Sequence, residues 1–415
     1  MEKLGLITLG LIIFAAHFFS ALFEKTKIPD ILPITIIGII LGPITGLLNP
    51  EDLGLMGPLL SSIALILMLF DGGSHLNINT LKTTLLDSAN LLASTFIFTT
   101  LITCFITYIF LGYSLLASFF IGLILANISP AVVVPLVKLL KISNKTKTML
   151  FVESAISDVL SIIFSLSVLK VIEVGSIDVG KVLGLEMIGS IVLAFIVGAA
   201  GAFIWANILN KVREFPNSIF TSLAFLFIIY GLSETLGYNG PITALVFGLI
   251  ITNSKKLPKD IAKRLGAARI EEFNSMEKTL FSEVIFLVKT FFFVYLGISI
   301  QLNSFKILFW GLIITIAIYL GRFFLVKLTV PKTINKNERG LISSIVPKGL
   351  ATAVLADIPM HMNLPSPIPG AIAIDVWLEI RSLTYAIIFF SIIITGVLIY
   401  LKENHLIDDK INQYL

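Results

Sequence analysis

TMLFVESAISDVLSIIFSLSVL, residues 148–169, is long enough to cross a bilayer and carries two carboxylates, Glu153 and Asp158, in its middle. A charge near the bilayer centre costs roughly 2.5 to 3.5 kcal/mol on insertion scales, so such groups persist where they face protein or trapped water. The two acids therefore mark an ion or proton site. At about 100° per residue, Ser154, Asp158, Ser161 and Ser165 follow at spacings of four, three and four and form one polar stripe. Glu153 and Ser157, also four apart, lie beside that stripe, and Glu153 calls for a cationic partner of its own.

The rest of the chain matches this segment. Of 415 residues, 56% are apolar and 13% charged, about half the charge of a soluble globule, and the mean hydropathy is +0.98. Runs near 20 apolar residues imply an all-α polytopic membrane protein and exclude the alternating strands of a membrane barrel. About thirteen spans are expected, at 4–23, 31–49, 55–73, 83–111, 114–138, 148–172, 181–209, 217–236, 240–253, 281–300, 305–330, 339–360 and 368–401. Connectors after odd-numbered spans, with the C-terminus, hold 22 of the 30 basic residues, against Lys3, Lys181 and Lys306 on the other side. The positive-inside rule then predicts a multi-pass protein of the cell membrane with its N-terminus outside and its C-terminus cytoplasmic. The net charge of +4 is an orientation signal facing anionic lipid, and no nucleic-acid partner is read into it. The first span lacks a small-residue cleavage site and is expected to be retained. Cys104 is the one cysteine, so no intrachain disulfide can form.

Two spans are interrupted. Asn127-Ile128-Ser129-Pro130, ahead of Pro135, breaks span five, and Val346-Pro347-Lys348-Gly349 breaks span twelve. A proline inside a helix removes a donor and displaces a carbonyl, which frees backbone oxygens near Ala126 and Ser343. If spans 1–6 and 8–13 are inverted repeats joined by span seven, the fifth member of each is the broken one. Matched breaks of this kind point to a transporter's midplane site.

These residues resemble the cation/proton antiporter superfamily, in its NhaP-like and NapA-like sodium/proton exchanger branches. The likeness rests on Phe70-Asp71-Gly72-Gly73, Ser129-Pro130-Ala131-Val132-Val133-Val134-Pro135, Glu153-Ser154-Ala155-Ile156-Ser157-Asp158, Leu236-Gly237 with Gly248-Leu249, Phe293-Val294-Tyr295-Leu296-Gly297, and Pro347-Lys348-Gly349. The resemblance implies an NhaA-like antiporter fold whose two unwound helices cross, with Asp158 as the ion-binding aspartate. The family closes an Asn-Asp or Asp-Asp pair there, and a neutral Ser157 in the first place implies electroneutral exchange. Where many NhaP-like members have Thr-Asp-Pro on the fifth helix, this chain has Ile128-Ser129-Pro130. The resemblance also implies a homodimer and a division into scaffold and dimerisation helices (1–82), a first core half (83–175), a linker and scaffold part (181–300) with an amphipathic cytoplasmic stretch (254–280), a second core half (305–402) and a cytoplasmic tail (403–415). It pairs Glu153 with Lys348 or Arg322, and Lys348 is the expected partner.

A hard monovalent cation wants oxygen ligands. The Asp158 carboxylate, the Ser154 hydroxyl, carbonyls freed near Ile128, Ser129, Ser157 and water can supply them, with Na⁺ as the expected metal and no cofactor. Asp71 can cap span three, or, as the resemblance implies of the acidic position it matches on the third helix, supply an ion ligand or line the ion's passage. His75 reads as a solvated loop residue, His17 as a packing residue, Glu234 as an interfacial cap, and Asp357 and Arg381 as structural. Other readings are K⁺/H⁺ exchange and sodium-coupled symport of an organic anion, which needs a larger polar cavity. An intramembrane protease using Asp71 and Asp158 lacks the Gly-x-Gly-Asp pattern such enzymes carry.

Overall fold

The structure, a computed structural model, describes residues 2–26, 31–49, 56–75, 78–174, 187–215, 218–253, 273–300, 304–362 and 364–411. Among these the regular structure is helical throughout: α1 Glu2–Thr26, α2 Ile31–Ile39 continued by a π turn to Ile44, α3 Met56–His75, α4 Ile78–Leu111, α5 Leu115–Leu125, α6 Pro130–Leu139, α7 Asn144–Val174, α8 Met187–Arg213, α9 Thr221–Thr235, α10 Gly240–Asn253, α11 Ser275–Ser299, α12 Phe305–Thr329, α13 Lys336–Ser344, α14 Leu350–Asp357 and α15 Ala373–Ile411. Among the described residues seven stretches, in α4, α7, α8, α9, α11, α12 and α15, are long and apolar enough to cross a membrane, and shorter apolar helices lie within the other expected spans. The expected spans five and twelve are each two half-helices, α5 with α6 and α13 with α14. Residues 254–272 of the expected amphipathic stretch lie outside the described residues. Its end is the cap of α11, which starts at Ser275 rather than near 281.

The chain forms two compact units. One comprises residues 1–61, 84–174 and 289–415, and the other residues 62–83 and 175–288. In the first, α4 ends at Gly112, whose φ of +74° suits a residue without Cβ, and Ser114 then caps α5 by accepting the Ala117 N–H. α2 and α11 meet through small residues: a Cβ at Gly297 would strike the Thr35 carbonyl, and one at Gly38 the carbonyl of Val294. Helices in lipid associate by such close packing, since burying apolar surface gains nothing there.

In the second unit α3 and α10 meet in the same way. A Cβ at Gly248 would run into the Phe70 carbonyl, and one at Gly73 into that of Leu245. The Gly72-Gly73 and Gly248-Leu249 motifs of the sequence are thus two sides of one helix crossing. At the start of α11, Asn274 and Glu277 form a reciprocal capping box, each backbone N–H bonding the other's side chain at 2.8 Å. Arg213 of α8 grips the same Glu277 with two nitrogens at 3.0 and 2.6 Å.

A second clasp lies in the first unit, between the turn before α7 and the first turn of α13. The Glu338 carboxylate accepts the Ser143 N–H at 2.9 Å, the Ser143 hydroxyl at 2.8 Å and the Thr146 hydroxyl, while Asn335 caps the Glu338 N–H at 2.7 Å. Partial burial pushes this carboxyl up, but the bonds from Thr146 and Ser143 outweigh it and hold the group below its ordinary value.

A carboxyl held low contributes stability above its unfolded pKa and loses it as pH falls through the folded value. Glu338→Gln therefore lowers the melting temperature at neutral pH, and the difference from wild type closes in acid; fluorescence melts across pH in detergent measure it. Gly248→Val is expected to cost about 1–3 kcal/mol through overpacking, whereas Gly231→Ala, where a Cβ meets nothing in mid-helix, holds or slightly raises the melting temperature.

Candidate functional site

The two breaks cross each other. α5 ends at Leu125, α6 starts at Pro130 with Ser129 as its N-cap, and the Ser129 N–H donates to the Pro347 carbonyl at 2.8 Å in the other break. Gly349, the N-cap of α14, is seated directly on Ser129, so that a Cβ there would collide with the serine hydroxyl. Four helix ends thereby converge, two presenting carbonyls and two presenting amides.

Asn127 joins the charged residues at this crossing. Its amide Nδ2 donates to Asp158 Oδ1 at 2.6 Å, and its Oδ1 accepts the Thr352 hydroxyl at 2.7 Å, which fixes which face of the amide meets the acid. Its backbone carbonyl, freed by the end of α5, accepts Lys348 Nζ at 2.6 Å. The ammonium thus sits at a helix C-terminus, where the macrodipole favours a cation. Asn127 and Thr352 are fully buried, and Asp158 and Lys348 are 7% and 1% exposed.

Glu153 has a different partner from the one expected. Arg322 of α12 meets it in a two-toothed pair, Nη1 on Oε1 and Nη2 on Oε2, the second at 2.8 Å. Lys348 instead serves the Asn127 carbonyl. The physical reason is shape: a planar guanidinium satisfies both carboxylate oxygens and still reaches the Ile342 carbonyl at 3.3 Å with Nε and Nη2, in the last turn of α13. Thr95 of α4 adds a bond to Glu153 Oε1 at 3.2 Å. Both ions are almost wholly buried, at 1% and 2% exposure.

The serines divide by partner. Ser154 Oγ returns to the Phe151 carbonyl of its own helix at 3.1 Å, Ser161 Oγ reaches the Leu123 carbonyl in the last turn of α5 at 2.8 Å, and Ser157 Oγ accepts the Ile128 N–H at 3.0 Å. Ile128 thus presents its amide to Ser157. Beside the crossing lies a cavity with room for about one water molecule, bounded by Thr95, Thr99, Ile128, Arg322, Val346 and Lys348. Asp71 is half-buried on α3 in the second unit. Glu234 Oε1 accepts the Gly240 N–H at 2.7 Å, and Arg381 pairs with Asp357 at 2.9 Å.

Sequence reasoning passed over Thr95, Thr352 and the side chain of Asn127. The available signal was a polar amide two residues ahead of Ser129-Pro130, and a threonine four residues after Lys348, in the first turn of the half-helix that follows the break.

The sodium/hydrogen exchanger transmembrane family matches residues 12–401 of the chain. The Na(+)/H(+) antiporter NhaH of Halobacillus aidingensis is 22% identical over 308 residues, which cover 70% of this chain and 69% of that protein. The fold is shared with the sodium proton antiporter MjNhaP1 from Methanocaldococcus jannaschii. Its structure at pH 8 gives a TM-score of 0.76 at 23% identity over 97% of this chain and 98% of that one. An electron-microscopy structure of the same antiporter gives 0.75 at 21% over 96% of both.

Removing one partner of a buried ion pair strands the other charge, at a cost of about 3–5 kcal/mol. Arg322→Gln is expected to lose about that much, and Arg322→Gln with Glu153→Gln less than the sum of the two single changes; thermal melts of the four proteins close the cycle.

Proposed function

The chain belongs to the sodium/hydrogen exchanger family, and from that premise we propose that this multi-pass membrane protein exchanges Na⁺ for H⁺ by alternating access, both competing for the Asp158 carboxylate. What carries the reading is the seating of Asp158: a buried acid at the crossing of two interrupted helices, held on one oxygen by the neutral Asn127 amide. A carboxylate in that position needs a neutralising partner before it crosses a low-dielectric barrier, and a proton or a monovalent cation each provides it. The other acid of the segment, Glu153, is already neutralised by Arg322 and takes no part in the competition.

Charge counting supports electroneutral exchange. If one carboxylate carries one proton in one direction and one Na⁺ in the other, no net charge moves per cycle, and the uncharged Ser157 next to Asp158 adds no second acid. Li⁺ and, more weakly, K⁺ offer the same charge to oxygen ligands, so selectivity among them is a matter of degree. The distribution of Lys and Arg supports an outside N-terminus and a cytoplasmic C-terminus, and the family resemblance supports a homodimer.

In proteoliposomes with an acidic interior, added Na⁺ is expected to collapse the pH gradient, and Asp158→Asn to reduce the response to that of empty vesicles. The apparent KM for Na⁺ should rise about tenfold per unit fall in pH once protons hold most sites, as mass action requires of ligands sharing one group. A potassium/valinomycin clamp leaves the rate unchanged for one-for-one exchange. Undiminished exchange by Asp158→Asn would overturn the assignment.

A further inference from the structure

The two breaks are anchored by the same device. Ile128 immediately precedes the N-cap Ser129 of α6, and Lys348 immediately precedes the N-cap Gly349 of α14. In an unbroken helix each of these N–H groups would bond a carbonyl four residues back. Here each goes to a serine on the long helix that follows: Ile128 N–H to Ser157 Oγ of α7 at 3.0 Å, and Lys348 N–H to Ser391 Oγ of α15 at 2.9 Å. Each serine in turn gives its own proton to the carbonyl three residues behind it, Ser157 to Ser154 at 3.1 Å and Ser391 to Ile388 at 2.7 Å. A hydroxyl has one proton, and that proton is committed in both cases, so both oxygens are held as acceptors aimed at the break.

Resting on the exchange reading above, we propose that Ser391 is a positioning residue for the cation site, the counterpart at the second break of Ser157 at the first. Fixing the Lys348 backbone at its amide fixes where the side chain starts, and the ammonium lands on the Asn127 carbonyl. Asn127 in turn carries Asp158 on its amide and Thr352 on its oxygen. Ser391 is therefore connected to the acid through Lys348 and Asn127, while Ser157 reaches the neighbouring Ile128 from the other side. Ser391 is itself held: the Tyr319 hydroxyl of α12 donates to the Ser391 carbonyl at 2.8 Å and meets Thr395 Oγ1 at 2.6 Å, one turn along α15. Ser391, Tyr319 and Thr395 are all buried, so water does not readily replace the lost acceptor.

Ser391→Ala leaves the Lys348 N–H without its partner and lets the break relax. The apparent KM for Na⁺ is expected to rise about tenfold, the equivalent of one buried donor left unpaired, with the pH for half-maximal exchange displaced from that of wild type. Ser391→Thr, which keeps the hydroxyl, is expected to restore both to near wild type. Ser382→Ala is the control: it removes a buried hydroxyl from the same helix whose recorded bond is to its own helix, at the Leu378 carbonyl. It should lower the melting temperature comparably and leave KM and pH profile unmoved. Should Ser391→Ala fail to fold, Ser157→Ala tests the equivalent bond at the other break with the same readouts. Wild-type liposomes that show no Na⁺-driven proton movement overturn the exchange reading. Active wild type with Ser391→Ala, or in its place Ser157→Ala, matching Ser382→Ala in KM and pH profile overturns this inference alone.

Discussion

Wherever a helix is interrupted inside a bilayer, its unpaired amides and carbonyls must find partners within the protein, because hydrocarbon offers none. That constraint organises the first compact unit. The two breaks answer it jointly, by crossing so that Ser129 N–H reaches the Pro347 carbonyl, and individually, through serines on the helices that follow. The carbonyls left over at the ends of α5 and α13 receive cations: Lys348 at Asn127 and Arg322 at Ile342. The positive charges of the core are thus placed by the backbone's needs as much as by those of the acids.

The two carboxylates of α7 receive opposite treatment from the same helix. Five residues apart, they point to different neighbours. Glu153 is closed off by a guanidinium, a threonine and the packing of four helices, and its charge is spent within the fold. Asp158 is met by a neutral amide and lies beside helix ends. The two acids differ in what satisfies them, since both are buried to a similar degree.

The interruptions were legible because proline writes them into the chain directly, and α6 begins at Pro130 as its missing amide requires. The burial of Asp158 was legible because a charge within an apolar span must face protein or trapped water. The partner of Glu153 was not: Arg322 and Lys348 lie on different spans, and spacing along a chain does not say which of two cations arrives with the better shape. The bond that Ser154 makes was not legible for a related reason. An ideal stripe assigns every hydroxyl to the seam, but a serine can return its bond to the preceding turn, as Ser154 does to Phe151, and periodicity carries no trace of that choice. The close helix crossings at Gly73 with Gly248 and at Gly38 with Gly297 were visible only as glycines, and it takes the opposing backbone to say why they are there.

Asn127 stands between an acid and a base that would otherwise be free to collapse onto one another. A direct carboxylate–ammonium contact in so dry a setting forms a deep well, costing several kcal/mol to separate. The Asn127 side-chain amide donates to the acid while its backbone carbonyl accepts from the ammonium, so one residue answers both groups without their touching. The acid is then met at contact distance by a dipole rather than by a full charge.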